Sequence, residues 1–135
     1  MIIDANNLIA GRLATHVAKR AILGENIEIV NAENAVITGK KKDILTKYNQ
    51  RKQRGMPKTG PFFYTREDLF LRRLIRGMLP FSQEKGRAAY KKIKCYIGVP
   101  DKLKNTQFET IENASIKKLK NVKFLRIKEI VVLFR

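Results

Sequence analysis

The sequence has few of the residues from which metal sites, disulfides and membrane spans are built. Its 135 residues include one cysteine, one histidine and no tryptophan. Cys95 cannot form an internal disulfide, and with His16 it makes no cluster that could bind zinc. The longest apolar run, 130–134, is five residues long, far below the roughly 20 of a membrane-spanning helix. We therefore expect a cytoplasmic protein with no metal, no cofactor, no membrane partner and no small-molecule substrate.

Acidic residues are scarce in the middle of the chain. Residues 40–94 contain 17 Lys or Arg and four Asp or Glu, and so carry +13 of the net charge of +17. Residues 1–39 carry −1 and residues 95–135 carry +5. A surface of one sign repels itself, and a partner of opposite charge relieves that cost. The charge distribution therefore points to the phosphate backbone of a nucleic acid.

The remaining composition supports a packed α/β domain. Hydrophobic residues make up 44% of the chain, so we expect one domain over residues 1–135, with an RNA-facing basic segment at 40–94. Short apolar runs at 2–3, 27–30 and 35–38 predict strands. Residues 8–23 predict a helix with a narrow buried face, formed by Leu13, Ala14, Val17, Ala18 and Ala21.

Helical and loop patterns alternate through the basic segment. Residues 40–52 predict a helix, and the Gly and Pro residues of 53–61 predict an extended, exposed loop. Thr65 and Asp68 resemble a capping box for a helix from Arg66 to Met78, with its apolar side at Leu71, Leu74, Ile75 and Met78. A short helix at 82–90 and a strand at 93–98 follow, and the tail predicts a strand at 122–127 and a helix at 128–134.

Three groups of residues in this segment have two interpretations each. Lys40, Lys41 and Lys42 at a helix start form either a phosphate cradle with the free backbone N–H groups or an ordinary solvated lysine run. The arginines of 66–76 are either an RNA-binding face or the wet side of a helix. Phe62, Phe63 and Tyr64 either stack on unpaired bases or anchor the loop to the core. We favour the cradle, the arginine face and the anchor.

Enzymatic motifs are missing from the expected places. A phosphate-binding loop at Gly39-Lys40 would need Gly at 34 and Ser or Thr at 41, where the chain has Asn34 and Lys41. His16 falls within a helix with no partner motif, and Cys95 falls in an apolar strand, so both favour a structural role. The residues therefore favour a binding protein over an enzyme.

The order of several short motifs resembles the universal large-subunit ribosomal protein thirteen family, and specifically its archaeal and eukaryotic branch. The resemblance runs from Ile3 to Pro100 and fades beyond Asn105. It rests on Asp4-Ala5, Gly11-Arg12-Leu13-Ala14, Val30-Asn31-Ala32-Glu33, Lys47-Tyr48, Gly60-Pro61, Arg76-Gly77-Met78-Leu79-Pro80 and Tyr96-Ile97-Gly98-Val99-Pro100.

The resemblance implies a three-layer α/β/α fold with a mainly parallel four-stranded sheet. It also implies a non-catalytic protein that binds 23S-type ribosomal RNA beside other large-subunit proteins, early in assembly. Lys47 and Arg76 are RNA-binding positions that it carries over, and it leaves Arg12 open between RNA and a neighbouring element. Charge and helical facing nominate the rest of the predicted RNA-binding set: Lys40, Lys41, Lys42, Arg51, Lys52, Arg54, Lys58, Arg66, Arg72, Arg73, Lys85, Arg87, Lys91 and Lys92.

Two other functional classes remain open on the residues alone. One is a free-standing nucleic-acid-binding protein or RNA chaperone that uses the same basic face. The other is a nucleotide-using α/β enzyme, which only the early strand–helix–strand unit suggests.

Overall fold

Three parallel strands form the main sheet of this computed structural model, which describes residues 1–120 and 123–134. Within these residues the chain forms five strands and five α-helices. The strands are β1 (Ile2–Asp4), β2 (Ile27–Val30), β3 (Val36–Thr38), β4 (Ile93–Cys95) and β5 (Phe124–Arg126). The helices are α1 (Ala10–Ile22), α2 (Lys41–Gln53), α3 (Glu67–Arg76), α4 (Glu84–Lys91) and α5 (Ile127–Val132). None of the described helices is both long and apolar enough to cross a membrane.

The central strand of the main sheet is β2, which pairs in parallel with β1 and with β4. Ile29 lies opposite Ile3 on one side, and Ile27 lies opposite Ile93 on the other. All four side chains are fully buried, as expected for a parallel sheet covered by helices. The predicted strand–helix–strand unit is confirmed, and the β2 prediction has the observed ends.

The third predicted strand forms but joins a different sheet. β3 pairs antiparallel with β5, Val36 lying opposite Arg126, so the expected four-stranded parallel sheet is divided into three strands and two. Only five residues separate β2 from β3, whereas a parallel crossover needs a dozen or more. The chain instead turns at Asn31, whose φ is 55°, and the Val36 N–H donates to the Leu8 carbonyl at 2.8 Å. The α/β class is confirmed.

The narrow face of α1 is confirmed. Leu13, Ala14, Val17, Ala18 and Ala21 are all buried, and α1 packs against α3 and α4. Small side chains allow this close approach, which brings the basic helices α3 and α4 onto the same core.

Helix α3 is shorter at both ends than its prediction. It begins at Glu67, with Arg66 as N-cap, and ends at Arg76. Leu71 and Ile75 are fully buried, but Met78 lies beyond the helix and is 44% exposed. The prediction of Met78 as a core residue is therefore wrong, because Gly77 ends the helix before the periodic pattern reaches it.

The tail returns to the core. β5 lies within the predicted strand, whereas α5 begins one residue before the predicted helix, at Ile127, and ends at Val132. Ile127, Ile130, Val131 and Phe134 are buried. The first residue of the predicted strand, Val122, lies outside the described residues. The C-terminal residues therefore belong to the same packed unit as the rest of the chain.

Candidate nucleic-acid interface

Almost the whole predicted RNA-binding set lies on the surface. Fourteen of its sixteen side chains are exposed, and Arg72 and Arg76 are partly buried. Among the described residues, Arg66 is the one member of the set with a carboxylate within 4.0 Å, that of Asp68 at 2.9 Å. Most of these cations therefore face solvent with no carboxylate from the described part of the chain to neutralise them.

The three lysines stand at the start of α2. Lys40 is the N-cap and provides no side-chain capping hydrogen bond, and Lys41 and Lys42 follow in the first turn. All three are exposed. The first N–H groups of a helix have no intrahelical acceptor, so an anion here would meet backbone donors and ammonium groups together. The geometry fits the cradle interpretation, which stays a prediction.

A second basic group, missed by the sequence reasoning, adjoins this helix start. A cavity of about 590 Å³ is lined by Lys40 together with Arg12, Lys118, Lys120 and Lys123. Its described lining contains no carboxylate. The only signal in the sequence was the +5 charge of residues 95–135. This charge gave no reason to place those lysines beside residue 40.

The loop after α2 is exposed as predicted, but it is not extended. The loop begins one residue later than predicted, after Gln53, and residues 54–59 are all exposed. The Met56 N–H donates to the Gly60 carbonyl at 3.3 Å and the Gly60 N–H donates to the Met56 carbonyl at 2.9 Å, which closes a tight turn. Gly55 and Gly60 have φ values of +88° and +80°, a conformation open mainly to glycine. Arg54 and Lys58 are thus exposed on and beside a closed turn.

The three aromatic residues Phe62, Phe63 and Tyr64 differ in burial. Phe63 is an anchor, with its ring centroid 6.0 Å from that of Phe70 and 5.6 Å from that of Phe134. Phe62 and Tyr64 on either side remain 65% and 40% exposed. The anchoring prediction is therefore confirmed for Phe63 alone, and two rings are left at the surface.

Three arginines of α3 each have an aromatic ring close to the guanidinium group. The guanidinium carbon of Arg72 lies 4.4 Å from the Tyr90 ring centroid, and that of Arg76 lies 3.9 Å from the Phe81 centroid. The guanidinium carbon of Arg73 lies 5.9 Å from the Tyr64 centroid. Burial raises the pKa of the Tyr90 hydroxyl, and Arg72 opposes this shift. Three α3 arginines thus lie beside aromatic rings, and their role as an RNA-binding face stays a prediction.

Two other members of the set have structural contacts. The Lys52 ammonium donates to the Phe134 carbonyl at 2.9 Å, and the Lys92 ammonium donates to the Gly24 carbonyl at 2.9 Å. Lys85, Arg87 and Lys91 on α4 are exposed. Lys52 and Lys92 therefore help to hold the fold in addition to any contact with a ligand.

Cys95 is a core residue, as predicted. It is buried in β4, and burial raises the pKa of its thiol to about 12. The thiolate is the nucleophilic form of cysteine. Its near absence at neutral pH makes Cys95 unsuitable for nucleophilic catalysis.

Comparison with known proteins connects these features to one family. The model of the ribosomal protein L13 family matches residues 1–102. The chain is 45% identical to large ribosomal subunit protein uL13 of Methanosarcina barkeri, over 96% of this chain and 93% of the relative. It is 43% identical to the protein of the same name from Methanopyrus kandleri, over 96% and 82% of the two chains.

A third archaeal relative extends the same picture. The protein of that name from Archaeoglobus fulgidus is 40% identical over 96% of this chain and 83% of its own length. The family resemblance and the archaeal branch are confirmed. The likeness to relatives also continues past Asn105, where the resemblance had been expected to fade.

Proposed function

Because the chain belongs to the ribosomal protein L13 family, we propose that it binds large-subunit ribosomal RNA through the exposed cations of α2, α3, α4 and the loop between α2 and α3. The family is structural and non-enzymatic, and the chain is a constituent of the large subunit of the cytoplasmic ribosome. Its partners are ribosomal RNA and neighbouring ribosomal proteins. Residues 1–135 act as one domain, a view supported by the pairing of β5 with β3 and by the packing of α5 on α3.

The main support for the proposed surface is that most of its cations have no carboxylate close to them. Fourteen exposed side chains of one sign, with Arg66 alone near a described carboxylate, repel one another in the free protein. Phosphates remove this repulsion and release counterions from the RNA, which adds to the free energy of binding. A surface made for solubility alone would mix signs more evenly.

Most of these contacts are expected to be with phosphates. Lysines present point charges, whereas arginine guanidinium groups match two phosphate oxygens at once. The lysines at the start of α2 add backbone N–H donors to this chemistry. The cavity lined by Lys40, Lys118 and Lys123 extends the surface toward the C-terminal part of the chain.

The salt dependence of binding tests the surface. The wild-type affinity for large-subunit RNA should fall on the order of a thousandfold or more between 50 and 200 mM salt if about six to ten phosphates are bound. Replacing Lys40, Lys41 and Lys42 together by glutamine should reduce the slope of log K against log salt by about two to three units.

The matched control removes the same charge elsewhere. Lys19, Lys102 and Lys128 are exposed and outside the proposed surface, and their triple replacement by glutamine should change the slope far less. Equal slopes for the two triple variants would contradict the placement of the surface. Stoichiometric recovery with large subunits after a high-salt wash separates a ribosomal constituent from a free-standing RNA binder, which would be lost.

A further inference from the structure

A small aromatic cavity lies between the end of α2, the loop and α3. It has a volume of about 240 Å³, and its floor includes Tyr48, Phe63, Phe70 and Leu74. The Tyr48 and Phe70 ring centroids are 5.1 Å apart, and burial raises the pKa of the Tyr48 hydroxyl. The volume is below the roughly 300–1,000 Å³ of pockets for drug-sized ligands. The cavity therefore suits one small group.

The rim of this cavity carries the two aromatic rings that the core leaves at the surface. Phe62 and Tyr64 both line it, and they are 65% and 40% exposed. The floor packs through Tyr48, Phe63 and Phe70 without either of them. Exposing two large rings costs solubility, and base stacking on exposed aromatic rings is a common use of such side chains in RNA-binding proteins.

The charge around the cavity has one sign. Arg51, Arg54 and Arg73 line it, and no Asp or Glu belongs to its described lining. The guanidinium carbon of Arg51 is 5.7 Å from the Tyr48 ring centroid, and that of Arg73 is 5.9 Å from the Tyr64 centroid. Guanidinium groups beside aromatic rings can stack on a planar base and bind the adjoining phosphate. The ligand that matches both features is planar and anionic.

We propose that this cavity binds one unstacked base of an unpaired ribosomal RNA segment, with the neighbouring phosphates on Arg51, Arg54 and Arg73. The proposal rests on the proposed ribosomal function and assigns a base contact within a surface that otherwise holds phosphates. An acidic peptide with an aromatic side chain would match the charge and the floor. The arginines around the cavity also belong to the surface proposed above for RNA phosphates, so RNA is the better match.

The test compares RNA with and without bases, using the full-length chain. The probes are fluorescein-labelled decauridylate and an abasic ribose-phosphate chain of the same length, and binding is followed by fluorescence anisotropy. Stacking of one base adds roughly 1–3 kcal/mol, so the wild type should bind decauridylate about 5- to 150-fold more tightly. The Phe62→Leu/Tyr64→Leu variant keeps apolar bulk and all charges. It should lose most of this preference with an unchanged salt slope.

The matched control is Phe108→Leu, because Phe108 is 37% exposed and does not line the cavity. It should keep the full preference, and equal urea midpoints by circular dichroism should show that all variants fold. Equal wild-type affinity for the two probes would overturn the proposal, as would a rim variant that keeps the preference. Stronger displacement of decauridylate by an alternating Glu-Phe decapeptide than by unlabelled decauridylate would also overturn it.

The same variants separate this proposal from the ribosomal one. Wild-type protein that is recovered with large subunits but shows no base preference would leave the ribosomal function intact and remove the base-binding cavity. Wild-type protein that is lost from large subunits would instead contradict the ribosomal function, whatever its preference among the probes.

Discussion

Replacing Gly86 by alanine tests how closely α4 is seated on the turn that precedes it. A β-carbon at Gly86 would lie 2.1 Å from the carbonyl oxygen of Pro80 and 2.4 Å from its carbonyl carbon. Separations under 3.0 Å are essentially never seen for real β-carbons. The obstacle is backbone, so no side-chain rotation can relieve it, and α4 would have to move by about 1 Å.

Two opposing effects set the size of the change. Alanine is favoured over glycine within a helix by about 0.5–1 kcal/mol. Overpacking costs about 1–3 kcal/mol, and an obstacle in the backbone places Gly86 at the upper end. We expect Gly86→Ala to lower the free energy of unfolding by roughly 2 kcal/mol, measured by urea denaturation. With a slope near 1–3 kcal/mol per molar urea, the midpoint should fall by about 1 M.

Gly11 provides the matched control in α1. A β-carbon there would meet no other heavy atom within 4 Å, so Gly11→Ala should raise the free energy of unfolding by up to about 1 kcal/mol. The same methyl group should therefore act with opposite sign at the two positions. A Gly86→Ala variant as stable as the wild type would refute the close seating of α4 on Pro80.

Three further predictions concern single side chains. Burial raises the pKa of the Cys95 thiol from 9.0 to about 12. The stability that the protonated thiol contributes should therefore be complete below pH 9, and up to about 4 kcal/mol of it should be lost as the pH rises to 12. Urea midpoints measured across this range should decline with pH in the wild type and decline less in Cys95→Ala. Arg72→Lys should lower the free energy of unfolding by about 0.5–2 kcal/mol, because an ammonium cannot both stack on the Tyr90 ring and reach its carbonyl; an unchanged thermal midpoint would contradict this. Lys52→Met should cost about 0.5–1.5 kcal/mol by removing the hydrogen bond to the Phe134 carbonyl, and calorimetry should detect it.

Residue patterns along the chain predicted most helices and strands of this fold but not which strands pair. The buried face of α1 and the ends of β2 follow from residue spacing alone. The residues of β3 likewise mark a strand, yet nothing in them says that it pairs with β5, some 85 residues further along the chain. The deciding constraint was the short link between β2 and β3, which is too short for a crossover.

In the candidate interface, too, features set by neighbouring residues could be predicted from the sequence, and features set by tertiary packing could not. Exposure of Lys40 and of the loop could be predicted because composition and turn residues act locally. The proximity of Lys118 and Lys123 to Lys40 depends on how the tail returns, and the aromatic cavity depends on packing among α2, the loop and α3. Helical periodicity also could not show which of Phe62, Phe63 and Tyr64 turns inward.

The aromatic contacts of the α3 arginines change what these side chains would contribute to binding. Stacking on an aromatic ring does not neutralise a guanidinium group. Arg72 and Arg76 therefore keep their charge while the rings of Tyr90 and Phe81, respectively, hold them in place. An arginine already fixed loses less side-chain entropy when it binds a phosphate than a free one does. The exposed lysines at the start of α2 are long, flexible side chains that must lose that freedom on binding. The proposed RNA-binding surface would therefore combine flexible charges, which attract RNA over a distance, with fixed guanidinium groups, which favour one orientation of the bound RNA.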